Sequence, residues 1–164
     1  MNVFGLAGYS GSGKTTLIER LIPFFTDQGL TLALIKHAHH DFDIDQPGKD
    51  SYRHRQAGAT EVLVSSAQRW ALMHELRGAE EPTLQDHLAR LSPCDLVLVE
   101  GFKREPIPKL EIHRLANAKP LLFTQDPHIV AIATDAEIET TLPRFNLNDI
   151  DAIGLFIIKT TGLR

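Results

Sequence analysis

Short, continuously apolar runs recur at residues 3–7, 31–35, 61–64, 96–99 and 129–133. Runs of this length without polar interruption mark strands covered on both faces, because each strand of a parallel sheet buries both of its rows of side chains. Stretches with helical spacing lie between them. Over 16–25, Leu17, Ile18, Leu21, Ile22 and Phe25 share one face, and Gly29 follows as a stop. Further helices are expected over 50–57, closed by Gly58, over 83–91, closed before Pro93, and over 149–160 with Asn148 as N-cap. Strands alternating with helices predict an α/β fold, a three-layer sandwich on a mainly parallel sheet.

Two segments break this rhythm. Residues 61–66 and 69–76 read as antiparallel strands joined by a short polar turn, a projecting ribbon at about 61–76 whose free edge suits pairing with another chain. Pro106 and Pro108 keep 102–108 out of helix, so a loop is expected directly after the strand that ends at Glu100.

Composition narrows the classes. A chain of 164 residues supports one core, so a single domain over 1–164 is expected. No run approaches the ~18 consecutive apolar residues of a membrane span, and a net charge of -4 speaks against a nucleic-acid binder, whose contact surface is basic. The first strand begins at once, without the pattern of a secretory leader, which points to the cytoplasm. The single cysteine, Cys94, has no partner for an internal disulfide and is given no chemistry.

The chemistry enters with Gly8-Tyr9-Ser10-Gly11-Ser12-Gly13-Lys14-Thr15, a full G-x-x-x-x-G-K-[ST] phosphate loop between the first strand and the first helix. Glycines at 8, 11 and 13 let successive backbone N–H groups turn inward around phosphate oxygens. Lys14 reaches the β- and γ-phosphates, the Thr15 hydroxyl joins the shell of Mg2+, and the helix dipole favours the same anion. Ser10, Gly11, Ser12, Gly13, Lys14, Thr15 and Thr16 are the expected nucleotide-binding residues of the loop.

A second acid is needed for the metal. Glu100 ends the strand that carries the apolar run 96–99 and takes the Walker B position, while Asp95 precedes that strand and belongs at the opposite end of the sheet from Lys14. Gly101 would bring a backbone N–H towards the γ-phosphate. Downstream of the second strand, His37, His39, His40, Asp41, Asp43 and Asp45 cluster at the same edge, open to three readings: a metal site, a switch near the γ-phosphate, or a solvated loop. Gly48 and Lys49 either approach phosphate or serve the following helix start. Asp135 lies where GTPases carry the acid of their Asn-Lys-x-Asp motif, without its Asn and Lys; it is either a guanine acceptor or the cap of a helix over 136–141.

Taken together, Gly8 to Thr16, Lys36-His37-Ala38-His39-His40-Asp41, Pro47-Gly48-Lys49-Asp50-Ser51-Tyr52, Gln68-Arg69-Trp70-Ala71-Leu72 and Leu98-Val99-Glu100-Gly101-Phe102-Lys103 resemble the molybdopterin-guanine dinucleotide biosynthesis adapter family of P-loop NTPases. The resemblance implies a GTP-binding accessory protein, at most a slow GTPase, that forms a homodimer and assists the partner transferase attaching GMP to molybdopterin. It implies GTP on residues 11–16 with a contribution from Gly48, Mg2+ on Thr15 and Glu100, and a dimer-forming ribbon. Two other classes use the same loop. A small-molecule kinase would need an arginine-bearing lid, and Arg53, Arg55, Arg69, Arg77 and Lys103 form no compact one; a nucleotide-switch chaperone for a metal cofactor would draw on the His/Asp cluster. No glutamine that positions water and no arginine finger stands out, and since such parts are worth about 10³ to 10⁵ in rate, slow hydrolysis is expected.

Overall fold

The computed structural model describes residues 1–38 and 42–163, and the chain divides into two compact units, one of residues 1–37 and 87–164 and one of residues 38–86. His39, His40 and Asp41 of the sequence cluster lie outside the described residues.

The first unit is a six-stranded sheet in the order β2-β5-β1-β6-β7-β8. Its strands are β1 (Asn2–Ala7), β2 (Leu32–Lys36), β5 (Leu96–Glu100), β6 (Lys109–His113), β7 (Ile129–Thr134) and β8 (Arg144–Phe145), and every pairing is parallel. Parallel pairing forces all carboxyl ends to one edge, so Ala7, Lys36, Glu100, His113 and Thr134 end their strands on the same side. α1 (Lys14–Thr26) and α4 (Ile150–Thr161) pack together: Leu17, Leu21 and Phe25 of α1 and Ile153 and Ile157 of α4 form one buried cluster with Phe4, Leu6, Leu98, Leu110 and Ile112 of the sheet. Gly154 marks the closest approach, since a Cβ there would fall 2.2 Å from the Phe24 ring. Among the described residues no helix is long and apolar enough to cross a membrane.

One sequence expectation is corrected here, one open alternative falls, and one strand had no sequence signal. The cap of α4 is Asp149, whose Oδ1 accepts from the Ala152 N–H at 3.1 Å; Asn148 is instead occupied by Arg20 of α1, which donates to its Oδ1 at 3.0 Å and its carbonyl at 3.1 Å. Residues 136–141 form no helix. β6, which no apolar run announced, is fully buried although it reads Lys-Leu-Glu-Ile-His. Its polar residues are satisfied inside the fold: Lys109 Nζ donates to Asp126 Oδ2 at 2.8 Å, Glu111 accepts the Leu122 and Phe123 N–H groups at 2.7 and 2.9 Å, and His113 Nδ1 lies 3.0 Å from Thr134 Oγ1.

The second unit carries α2 (Asp50–Gln56) and the expected ribbon, β3 (Glu61–Ser65) paired antiparallel with β4 (Trp70–His74). The register sets Leu63 opposite Leu72 and Ser65 opposite Trp70, so Leu63, Trp70 and Leu72 share one face, and all three are exposed. Arg55 of α2 is bound by Asp43, Asp45 and Glu75, which gathers the start of this unit onto the end of β4. α3 (Leu84–Arg90) follows the ribbon.

Candidate functional site

The phosphate loop bridges β1 and α1 at the carboxyl edge of the sheet. Gly8, Gly11 and Gly13 all have positive φ, at 156°, 80° and 94°. Gly8 also answers a packing demand, because a Cβ there would fall 2.6 Å from the Ile112 carbonyl oxygen and 2.7 Å from Ser12 Oγ. Gly13 is the N-cap of α1, which therefore starts at Lys14, and no side chain caps the helix. Its first-turn amides are left for an anion. Ser12 Oγ is buried with no hydrogen-bond partner among the described residues, a second unmet polar group in the same loop.

Lys14 folds back over the loop, donating to the carbonyls of Gly8 and Tyr9, both at 2.9 Å. Burial pushes its ammonium below the ordinary lysine range; the Glu100 carboxylate opposes that shift, and Lys103 and Lys36 add to it. Three charged groups, one anion and two cations, thus act on the Lys14 ammonium at this edge. Glu100 ends β5, is 8% exposed, and has Lys36 Nζ 3.7 Å from its Oε2. Thr15 and Thr16 are exposed in the first turn of α1. A hydroxyl and a carboxylate are the hard oxygen donors that Mg2+ prefers, so Thr15 and Glu100 suit that ion. Asp95 lies at the amino end of β5, where its carboxylate accepts from the Thr31 hydroxyl and N–H and is held below the usual carboxylate range by those bonds.

Gly101 has φ 102°, and a Cβ there would sit 2.8 Å from the His37 carbonyl oxygen, so the chain leaving β2 presses on the backbone leaving β5. His37 donates its N–H to the Glu100 carbonyl at 2.8 Å, and its ring lies 5.0 Å from that of Phe102. Gly48 belongs to the second unit, in the turn before α2, with φ 86° and open space around it. Asp43 and Asp45 bind Arg55, and among the described residues no three His, Cys, Asp or Glu side chains converge as a metal would require.

Asp135 follows β7. Its Oδ1 accepts the Leu115 N–H at 2.8 Å and its Oδ2 lies 3.7 Å from Arg114 Nη1, so the capping alternative gives way to a tie between β7 and the segment after β6. That segment reaches the loop: Arg114 Nε donates to the Ser12 carbonyl and Asn117 Nδ2 to the Ser10 carbonyl, each at 3.2 Å. Sequence reasoning passed over Lys36, Arg114 and Asn117 as parts of the site. Arg114 was out of reach because it follows a strand that the hydrophobic pattern hides.

A parallel sheet with its glycine-rich loop and helix N-terminus at the carboxyl edge defines a phosphate-loop α/β protein. Comparison with known proteins then gives the family. The family model described as MobB, molybdopterin guanine dinucleotide synthesis protein B, matches residues 3–135, and the chain belongs to that family. It is 42% identical over 160 residues to the molybdopterin-guanine dinucleotide biosynthesis adapter protein of Escherichia coli, covering 96% of this chain and 91% of that protein. It is 42% identical over 158 residues to the protein of the same name from Haemophilus influenzae, covering 94% and 86%. Among solved structures, a MobB homolog from Bacillus stearothermophilus superimposes with a TM-score of 0.73 at 26% identity, covering the whole of both chains.

Proposed function

We propose that the protein is a GTP·Mg2+-binding accessory factor of molybdopterin guanine dinucleotide biosynthesis, which assists a partner transferase that attaches GMP to molybdopterin. The observation that carries this reading is the Lys14 loop, with its uncapped helix start, its glycines at positive φ and the Glu100 carboxylate within electrostatic reach, in a chain of the MobB family. The residues named above supply binding and orientation. Loop amides from Gly11 to Thr16 and the Lys14 ammonium take the phosphates, and Thr15 and Glu100 hold Mg2+. The metal, when bound, neutralises charge on the β- and γ-oxygens. Hydrolysis by the isolated protein is slow in this reading, and the protein acts in the cytoplasm.

Titration of purified protein with fluorescent GTP and ATP analogues, with Mg2+ and with EDTA, tests the proposal. Preference for GTP and a gain from Mg2+ are expected; binding of neither analogue, or turnover at tens per second, on the order of ordinary catalytic kinases, overturns it. In the same assay Glu100→Ala should lower GTP affinity roughly tenfold, the worth of one charged contact, with Mg2+ present and leave it unchanged in EDTA. An unchanged metal dependence would move the Walker B role to another acid.

The ribbon is proposed as the dimer contact. Leu63, Trp70 and Leu72 expose one apolar face, and Trp70 is 66% exposed, a cost to a monomer that burial against a second copy removes. Trp70→Asp should shift the sedimentation profile from dimer to monomer at micromolar concentration; an unaltered profile counts against the ribbon.

A further inference from the structure

We propose that Arg114 and Asn117 are positioning residues for the nucleotide, bracing the phosphate loop from outside by its carbonyls, with Asp135 anchoring the brace. The inference rests on the nucleotide-binding reading above and assigns roles that reading does not contain.

The reason lies in the peptide unit itself. A loop that turns successive N–H groups inward must turn carbonyls outward, and those carbonyls need donors. Lys14 serves the Gly8 and Tyr9 carbonyls, but it is also the group that a triphosphate recruits. The Ser10 and Ser12 carbonyls take their donors from elsewhere, Asn117 Nδ2 and Arg114 Nε at 3.2 Å each, and these bonds need not break when phosphate arrives. Both side chains lie against the loop's glycines: a Cβ on Gly11 would be 3.4 Å from Asn117 Oδ1, and one on Gly13 would be 3.1 Å from Arg114 Nε. At Gly13 the absence of a Cβ thus leaves room for Arg114, while Gly11 lies at ordinary contact distance from Asn117.

The brace is itself held. Arg114 directly follows β6, and residues 115–117 form a 3-10 turn closed by Ala118 at φ 47°, a left-handed conformation uncommon for a residue with a side chain. The Asn117 and Ala118 N–H groups donate to the Arg114 and Leu115 carbonyls at 3.1 and 3.0 Å. Asp135 accepts the Leu115 N–H and faces the Arg114 guanidinium. Below them the buried His113–Thr134 contact joins the ends of β6 and β7. A continuous set of polar contacts therefore runs from the end of β7, through Asp135 and Arg114, to the amide-bearing stretch of the loop.

The full-length protein, with Arg114→Ala, Arg114→Lys and Asn117→Ala, should be titrated with a fluorescent GTP analogue and with inorganic tripolyphosphate as competitor, and melted without ligand. Arg114→Ala is expected to weaken both ligands by about tenfold, since the brace acts on phosphate geometry rather than on the base. Arg114→Lys, which keeps the charge and loses the fork, should not restore affinity, whereas millimolar ethylguanidine should restore it to Arg114→Ala. Asn117→Ala should show a smaller loss in the same direction, with its melting temperature unchanged. Affinities within about twofold of wild type in both alanine variants overturn the brace. So does a loss for GTP without one for tripolyphosphate, which would make Arg114 a base contact, or a loss that follows a lowered melting temperature and resists ethylguanidine. Wild-type protein that binds neither probe overturns the nucleotide reading and the brace with it; wild-type binding beside unaltered variants overturns the brace alone.

Discussion

Lys14→Ala is expected to weaken triphosphate binding by roughly 10²- to 10³-fold, the equivalent of about 3–4 kcal/mol from two charge-assisted hydrogen bonds, while the melting temperature of the ligand-free protein stays where it is. The asymmetry follows from where the ammonium sits. Without ligand it donates, among the described residues, to the Gly8 and Tyr9 carbonyls, which water can serve in its place. Burial already disfavours its charged form, so the free protein loses little with it. A phosphate offers the charge a full counter-ion in the same partly dehydrated loop, where electrostatic contacts are worth more than in water. Isothermal titration with GTP·Mg2+ and a thermal melt of the free protein check the two halves. A large drop in melting temperature would make Lys14 a structural residue, and a loss of affinity under tenfold, or about 1.4 kcal/mol, would place the phosphates elsewhere.

The second large effect concerns stability. Glu111→Ala should destabilise the protein by about 3–5 kcal/mol, because it strands two amides at roughly 1–3 kcal/mol each and removes buried volume. The Glu111 side chain is 1% exposed and accepts both the Leu122 and Phe123 N–H groups, at 2.7 and 2.9 Å. For a chain of this size the loss corresponds to a melting temperature lower by roughly 10 °C, read by calorimetry or circular dichroism. Glu111→Gln keeps one carbonyl oxygen and should lose less than half as much. An alanine variant as stable as wild type would show that the 122–123 turn draws its order from other contacts.

The loop between β1 and α1 was legible because its pattern is local. Eight consecutive residues spell the motif, and the strand before and helix after follow from apolar spacing alone. Glu100 was legible for a related reason: the end of an apolar strand in a parallel sheet falls at the carboxyl edge, and β5 pairs beside β1 as that rule requires. The ribbon was read from two short runs and a polar turn, and β3 and β4 lie within the limits assigned to it. Ends of elements were less legible. α1 begins two residues before the apolar spacing does, since a left-handed Gly13 starts it, and Asn148 lost the cap to Asp149 because Arg20 claimed it across the fold.

β6 shows where local reading stops. Lys109, Glu111 and His113 break up the apolar run that marks the other strands, yet all five positions are buried. Their partners, Asp126, the amides of residues 122 and 123, and Thr134, lie 11 to 21 residues downstream in the chain. Only the folded sheet brings them near. The same holds for Arg114 and Asn117, whose meeting with a loop more than 100 residues earlier in sequence depends on β6 lying beside β1.

The sequence by itself determined the α/β class, the glycine-rich loop between the first strand and the first helix, and the acid that ends a neighbouring strand, because periodicity and a contiguous motif are properties of neighbouring residues. The tertiary structure decided which polar residues are buried and paired, which carbonyls of the loop are braced, and that Asp135 is tied to Arg114. Those outcomes depend on strand order and on hydrogen bonds closed across the sheet, which no local pattern encodes.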